Sequence, residues 1–313
     1  MTENGNLHYA IVGTGAVGGY YGGLLAHAGK SVHFLLNTDY SHVTKHGLRV
    51  DSPNGDFHLK KVNTYHNVKN MPPCDVIIIA LKTTHNHLLP AILPPLMAHK
   101  DTLVLTLQNG LGIEEEIATL VGANRVIGGL CFLCSNKTGP GYITHLDYGK
   151  IIMGDYYQKR SPETISKRLS ILANDLNSAG IQAQTARDIL KERWKKLVWN
   201  VPYNGLCTLF QTTTDKLMRH APMKLLIRDL MKEVVLAAKS CGAIIDNKFT
   251  DEMLQTTEQM AAYKPSMLLD YEKKVELELE TIYHRPIQKA AKNGFQMKKT
   301  EVIYQQLLFL NNY

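Results

Sequence analysis

The sequence lacks any long apolar run. Its clearest one, Val76–Leu81, is far shorter than the roughly 20 residues a membrane-crossing helix needs. The opening segment, MTENGNLHYAIVGTG, has no basic stretch followed by an apolar core, so no secretory leader is expected and the chain reads as cytoplasmic, with no membrane partner. Cysteine is scarce and odd in number: the five are Cys74, Cys131, Cys134, Cys207 and Cys241, which argues against a disulfide framework. Cys131 and Cys134 form a CxxC, but no second one accompanies it. The segment reads as a strand, where residues three apart face opposite sides, so both are expected to act as small buried hydrophobes. No HExxH spacing occurs, and His85 and His87 have no third candidate ligand nearby in sequence; His145 reads as a satisfied or exposed histidine, and no metal is expected.

Concentrated positive charge is also missing. The net charge is +7, but lysines and arginines are scattered, with only short pairs such as Lys159–Arg160 and Lys298–Lys299, and no aromatics interleave them. That pattern does not suit nucleic acid; it suits steering of small anionic ligands. At 313 residues, with 44% hydrophobic and 20% charged, the chain suits two soluble domains better than one.

What is present begins with alternation. Strands are predicted at His8–Val12, Ser31–Leu36, Val76–Leu81 and Leu103–Leu107, with a helix at Ala16–Ala28 and a proline-rich helical region around Leu88–Met97. Such alternation predicts a parallel sheet with crossover helices. Val126–Cys134, Gly141–His145 and Ile151–Gly154 read as further strands, joined by turn-rich pieces such as KTGPG, and Ser161–Ala179 reads as an amphipathic helix. From Thr185 the pattern is helical in period, Thr185 and Asp188 resembling a capping box. The expected fold is α/β: a Rossmann-type parallel sheet domain over residues 1–185, then an all-helical domain over residues 186–313.

GTGAVG runs from Gly13 through Thr14, Gly15, Ala16 and Val17 to Gly18, directly after a predicted strand and opening a predicted helix. The glycines serve a tight turn, close backbone approach to a pyrophosphate, and tight helix–sheet packing. The helix N-terminus then offers unpaired N–H groups to the phosphates. Ribose selectivity belongs at the tip of the second strand, where an acid favours NAD and a basic residue NADP. The tip here reads LLNTDY: Asn37 and Thr38, with Asp39 one step beyond.

WKKLVWNVPYNGL, Trp194–Leu206, is mostly apolar, yet Lys196, Asn200 and Asn204 recur every fourth residue. Steps of four advance a helix by about 40° each, so the three form one stripe. Trp194, Leu197, Val198, Trp199 and Val201 leave little circumference for solvent, so the stripe is expected to border an internal cleft. Pro202 removes one N–H within this helix, a change compatible with a ligand site and equally with packing strain.

GTGAVGGYYGGLLAHAG, IIIALKTTHN, LTLQNGLG, GPGYITH, WKKLVWNVPYN and PSMLLDYEKKVELE occur in the order found in ketopantoate reductases, and the chain resembles that family over nearly its whole length. The resemblance implies NADPH-dependent reduction of ketopantoate to pantoate, a step of pantothenate and coenzyme A biosynthesis. By it, Lys196 matches the general acid and Glu278 the glutamate that positions lysine and substrate and lies at the cofactor. Asn200 and Asn204 match the substrate-binding asparagines, and Ser266 the serine meeting the substrate carboxylate. Lys82 and Asn109 would sit beside nicotinamide and substrate, and Asn37 at the adenine ribose. An unperturbed lysine, pKa about 10.4, is protonated at neutral pH and can donate to the developing alkoxide.

The sequence departs from the family pattern in three places. Asn37 stands where many members carry an arginine suited to a 2′-phosphate; Lys45 could restore charge if its loop folds back. The KVEL around Val275 replaces a common Gly-Arg-Pro-Thr-like turn, and His284 replaces a frequent glycine, leaving Glu276 and Glu280 as alternative acids to Glu278. Rival readings are a reductase of another 2-keto acid, an oxidoreductase of a larger anionic alcohol, and a nucleotide-sensing protein without turnover. The expected partner is a small 2-keto acid, and a homodimer stays open.

Overall fold

The structure, a computed structural model, describes residues 7–97, 99–156 and 165–312. Lys159–Arg160 and residues 161–164 of the helix expected from Ser161 lie outside the described residues. By internal contacts the chain divides into two compact units, Met1–Gln108 with Ile113–Ile189, and Asn109–Gly112 with Leu190–Tyr313.

The first unit begins with strand β1 (His8–Val12), helix α1 (Ala16–His27), β2 (Ser31–Leu35) and α2 (Tyr40–His46). Three short strands follow, β3 (Leu48–Asp51), β4 (Phe57–Leu59) and β5 (Asn63–Tyr65). Next come β6 (Val76–Ile79), α3 (Leu89–Leu96), β7 (Leu103–Thr106) and α4 (Ile113–Val121). The unit ends with β8 (Val126–Gly139), β9 (Tyr142–Asp155), α5 (Lys167–Ser178) and β10 (Gln182–Thr185). One sheet collects the strands in the order β4-β3-β9-β8-β7-β6-β1-β2-β5, with β10 also on β9. Every residue of VIII in β6 and LVLT in β7 is buried, as a parallel strand covered on both faces requires. Helix α1 lies close on the sheet because its glycines permit it: a Cβ on Gly22 would stand 2.7 Å from Phe34 and 2.8 Å from Ile11.

The sheet is not parallel throughout. β8 pairs antiparallel with β9, and β3 with β4. The two strands expected at Gly141–His145 and Ile151–Gly154 are one strand. Tyr148 (φ 62°) and Gly149 (φ 128°) enter left-handed backbone beside a shift of register, which breaks the period without ending the strand. Thr185 closes β10 and does not cap a helix; Asp188 instead immediately precedes the first helical residue, Ile189. Helix α5 starts at Lys167, capped by Ser166, whose hydroxyl accepts from the Leu169 N–H.

The second unit is helical: α6 (Ile189–Leu209), α7 (Thr214–Arg219), α8 (Ala221–Ser240), α9 (Phe249–Gln259), α10 (Ser266–Glu272), α11 (Arg285–Lys292) and α12 (Lys298–Asn312). A single π-helical turn, Glu280–His284, runs directly into α11. Its core is built on α6 and α8, with Trp194, Val198, Val201, Ile227, Leu230, Met231 and Val234 fully buried. Helix α6 continues through Pro202 to Leu209 without a break. Among the described residues, no helix is long and apolar enough to cross a membrane.

Candidate active site

In the first unit, Gly13 leaves β1 at φ +98°, and a Cβ there would stand 2.5 Å from the Leu81 backbone nitrogen. Gly18 is equally constrained, its Cβ direction meeting the Gly13 carbonyl oxygen at 2.1 Å. Both glycines are thus demanded by the protein itself. Gly15 differs. A Cβ on it would find no atom within 4 Å, and its φ of −84° suits any residue. Gly15 caps α1, whose first turn carries no acid and whose N-terminus receives no side-chain cap. Open space at the Gly15 Cβ position, at a helix N-terminus without a side-chain cap, leaves room for a pyrophosphate, so the residues present fit a dinucleotide. Thr14 ties this loop to the second strand by donating to the Leu35 carbonyl at 3.3 Å.

Contact between Gly13 and Leu81 also sets Lys82 beside the loop, half-buried, just past β6. Gln108, past the end of β7, holds that region by donating to the Leu81 carbonyl (2.9 Å) and to Asn86 Oδ1 (2.6 Å). The carboxyl ends of β1, β6 and β7 thereby form one edge, where open α/β sheets bind ligands.

At the tip of β2, Asn37 and Thr38 are exposed, whereas Asp39 is buried. Asp39 Oδ2 lies 2.6 Å from Lys137 Nζ and accepts from the Gly141 N–H at 3.0 Å; Oδ1 accepts from Thr38 Oγ1 at 3.3 Å. Burial raises the Asp39 pKa, but the Lys137 ammonium and the Gly141 N–H outweigh it and hold the carboxyl below its ordinary value. Lys45 does not lie on a loop: it occupies the last turn of α2, exposed.

In the second unit, Lys196, Asn200 and Asn204 lie on successive turns of α6. Asn200 and Asn204 are buried and Lys196 is half-buried. Lys196 Nζ donates to Asn109 Oδ1 at 2.7 Å. Asn204 Oδ1 has no hydrogen-bond partner in the protein, and neither does the Thr208 hydroxyl one turn further on. A buried acceptor without a donor costs about 1–3 kcal/mol, so Asn204 is suited to a partner that is not protein. Asn109 itself is held by Thr281, whose hydroxyl donates to the Asn109 carbonyl at 3.0 Å.

Of the three candidate acids, Glu278 is buried, while Glu276 and Glu280 are exposed. Glu280 Oε2 pairs with His284 Nδ1 at 2.6 Å. Glu278 precedes the π-helical turn by two residues. Ser266 is exposed as the first residue of α10. Sequence reasoning missed Thr281, Lys137 and Gln108. Only the Gln-Asn-Gly run hinted at the last, since nothing in the pattern of LETIYHRP marks Thr281.

The remaining polar candidates are structurally engaged. His145 Nε2 lies 3.0 Å from the carbonyls of both Asp147 and Tyr148, which can only accept, so Nε2 donates, and Nδ1 lies 2.8 Å from Ser52 Oγ. Cys131 is buried with Sγ 3.9 Å from the Leu107 carbonyl, and Cys134 is half-buried. Among the described residues, no group of three His, Cys, Asp or Glu is placed to hold a metal.

The chain matches two family models, "Ketopantoate reductase PanE/ApbA" over residues 9–158 and "Ketopantoate reductase PanE/ApbA C terminal" over residues 188–311. It is 49% identical over 303 residues to a 2-dehydropantoate 2-reductase of Nostoc sp., covering 97% of this chain and 95% of that one. The solved 2-dehydropantoate 2-reductase of Geobacter metallireducens is 41% identical, with a TM-score of 0.92 and coverage of 96% of this chain and 99% of that one. That of Methylococcus capsulatus is 28% identical, with a TM-score of 0.88 and coverage of 97% and 96%.

Proposed function

The chain belongs to the ketopantoate reductase family, and on that premise we propose that it reduces 2-dehydropantoate to pantoate with NADPH, a step of pantothenate and coenzyme A biosynthesis. The observation that carries the reading is the Lys196–Asn109 bond of 2.7 Å on the stripe that also bears the buried, unpartnered Asn204 Oδ1.

The nicotinamide, when bound, supplies the hydride that converts the keto carbon to an alkoxide carbon. Lys196 gives a proton to that oxygen, and its charge stabilises the oxygen as negative charge develops. Asn109 Oδ1 takes one of the three ammonium N–H donors and so orients the rest. Glu278, buried nearby in sequence to the turn that carries Thr281, is the acid best suited to hold the ammonium; Glu280 is already engaged with His284. Asn200, Asn204 and Ser266 read the substrate's carboxylate and hydroxyl. Asn204 Oδ1 wants a donor, which the hydroxyl of ketopantoate offers and pyruvate lacks. A site built to bond a hydroxyl discriminates strongly against an analogue without one.

In the first unit, Gly13 to Gly18 hold the pyrophosphate, and Lys82 adds charge beside the nicotinamide and substrate. Cofactor selectivity rests on the tip of β2. The Asp39 carboxylate accepts from Lys137, Gly141 and Thr38, which leaves it poorly suited to accept from a ribose diol as NAD selection requires. Asn37 is left to meet a 2′-phosphate with neutral hydrogen bonds. The selectivity for NADPH is therefore modest. Turnover of ketopantoate, pyruvate and other 2-keto acids with NADPH and NADH, followed by loss of nicotinamide absorbance, tests the assignment. Robust reduction of another 2-keto acid without reduction of ketopantoate would sink it.

A further inference from the structure

The π-helical turn Glu280–His284 touches both parts of the second unit that the proposed chemistry uses. Tyr283, fully buried, donates its hydroxyl to the Val201 carbonyl at 2.8 Å, on α6 between Asn200 and Asn204. Gly205 admits that ring, since a Cβ there would stand 2.7 Å from the Tyr283 hydroxyl. Two residues earlier on the same turn, Thr281 is also buried and grips the Asn109–Gly112 loop.

Hydrogen bonds from both sides contribute to the grip. Thr281 Oγ1 donates to the Asn109 carbonyl (3.0 Å), the Leu111 N–H donates to the Thr281 carbonyl (2.8 Å), and Arg285 Nη1 donates to the Gly112 carbonyl (2.9 Å). Between them Gly110, at φ +103°, presses directly on Thr281: a Cβ there would stand 2.5 Å from Thr281 backbone atoms. No side chain other than hydrogen fits that approach.

The Asn109 side chain ends 2.7 Å from Lys196 Nζ, so whatever sets the Asn109 backbone also sets the acceptor of the lysine. We propose that Thr281 is a positioning residue for Lys196, acting through Asn109, and that the π-helical turn holds the loop and α6 in register. The backbone bond from Leu111 and the Arg285 bond fix the far end of the loop, and the Thr281 hydroxyl holds the Asn109 backbone at the near end. The extra residue that a π-turn inserts changes which side chains face its neighbours, and such turns recur at functional sites. This inference rests on Lys196 being the proton donor.

Thr281→Val keeps shape and volume but loses the donor, and Thr281→Ser keeps the donor. Proton donation matters only in the transition state, so kcat should fall about tenfold in Thr281→Val, with the KM for substrate and nucleotide little changed. Thr281→Ser should recover most of the parental kcat. A Thr281→Val enzyme with parental kcat per folded molecule and only a lower melting temperature would make Thr281 purely structural and overturn the proposal. Equal impairment of the Val and Ser variants would overturn it too. A crystal structure of Thr281→Val separates this inference from the assigned reaction. Asn109 Oδ1 still 2.7 Å from Lys196 Nζ refutes positioning whatever the substrate; a parental enzyme that reduces no 2-keto acid refutes the reaction alone.

Discussion

Three glycines of one loop are separable by what a methyl group would meet, and this makes Gly15→Ala the sharpest perturbation. At Gly15 the added Cβ contacts nothing within 4 Å and φ is ordinary. Alanine caps a helix less well than glycine, by about 1 kcal/mol, and reduces unfolded-chain entropy by about 0.4–1 kcal/mol. These opposing effects leave stability within about 1 kcal/mol of the parent. Gly13→Ala instead forces a side chain into left-handed backbone, about 1–2 kcal/mol, and overpacks it against Leu81, about 1–3 kcal/mol. At about 2–4 °C per kcal/mol, that lowers the melting temperature by roughly 4–20 °C, against a few degrees for Gly15→Ala. Nucleotide affinity reverses the order of interest. The Gly15 methyl occupies the space before the α1 N–H groups, and loss of one charge-assisted bond, about 1.5–3 kcal/mol, raises the NADPH Kd by roughly tenfold to over a hundredfold. The assay pairs thermal melts without ligand with fluorescence titration of NADPH. Parental NADPH affinity in Gly15→Ala, or a melting temperature as low as that of Gly13→Ala, refutes the argument that Gly15 serves the ligand.

Lys196→Ala should lower kcat by roughly 10²- to 10⁴-fold in steady-state assays while leaving NADPH binding near parental; a near-normal kcat would pass the role to Lys82. Glu278→Ala should lower kcat and Glu280→Ala should not, and the opposite pattern would show that burial misidentified the acid. Asn37→Arg should widen the NADPH-over-NADH ratio of kcat/KM, by about tenfold for each 1.4 kcal/mol that a charged fork adds; better use of NADH by the parent would overturn the cofactor assignment. The Asp39 pKa is depressed in the folded state, so its ion pair stabilises fully above the unfolded value near 3.9 and loses that contribution as pH falls through the lower folded value. The stability difference between the parent and Lys137→Met, read from urea melts, should therefore be present at neutral pH and vanish in acid; a constant difference down to pH 2 would refute the pairing.

The elements most legible in the sequence were those with strong, uninterrupted patterns. The apolar runs of β6 and β7 and the glycine loop between β1 and α1 needed no tertiary information. By contrast β4 and β5 are three residues each, with no fully buried position, so no pattern distinguishes them from loop. The pairing of β8 with β9 was hidden because two left-handed residues interrupt the alternation of β9. At the site, the spacing of Lys196, Asn200 and Asn204 puts them on one stripe, and of Glu278 and its two alternatives, Glu276 and Glu280, only Glu278 is buried. Thr281 could not be seen in advance, because its partner lies 172 residues away along the chain. Neither could the engagement of Asp39, which depends on Lys137 and Gly141, about a hundred positions onward.

The Asn109–Gly112 loop has a consequence for synthesis. Both flanking segments belong to the first unit, yet these four residues count with the second, held by Thr281 and Arg285. At ribosomal rates of about 5–20 residues per second, the loop is exposed roughly 10–35 seconds before Thr281 is made. During that interval the first unit can complete its sheet, but Asn109 waits without its anchor. A polypeptide starting at Leu190 would carry Lys196 and the whole α6 stripe and still lack the residue that Lys196 bonds. Lys196 and its acceptor Asn109 are thus both made well before Thr281, and a chain released between Lys196 and Thr281 would carry the pair without the hydroxyl that holds the Asn109 backbone.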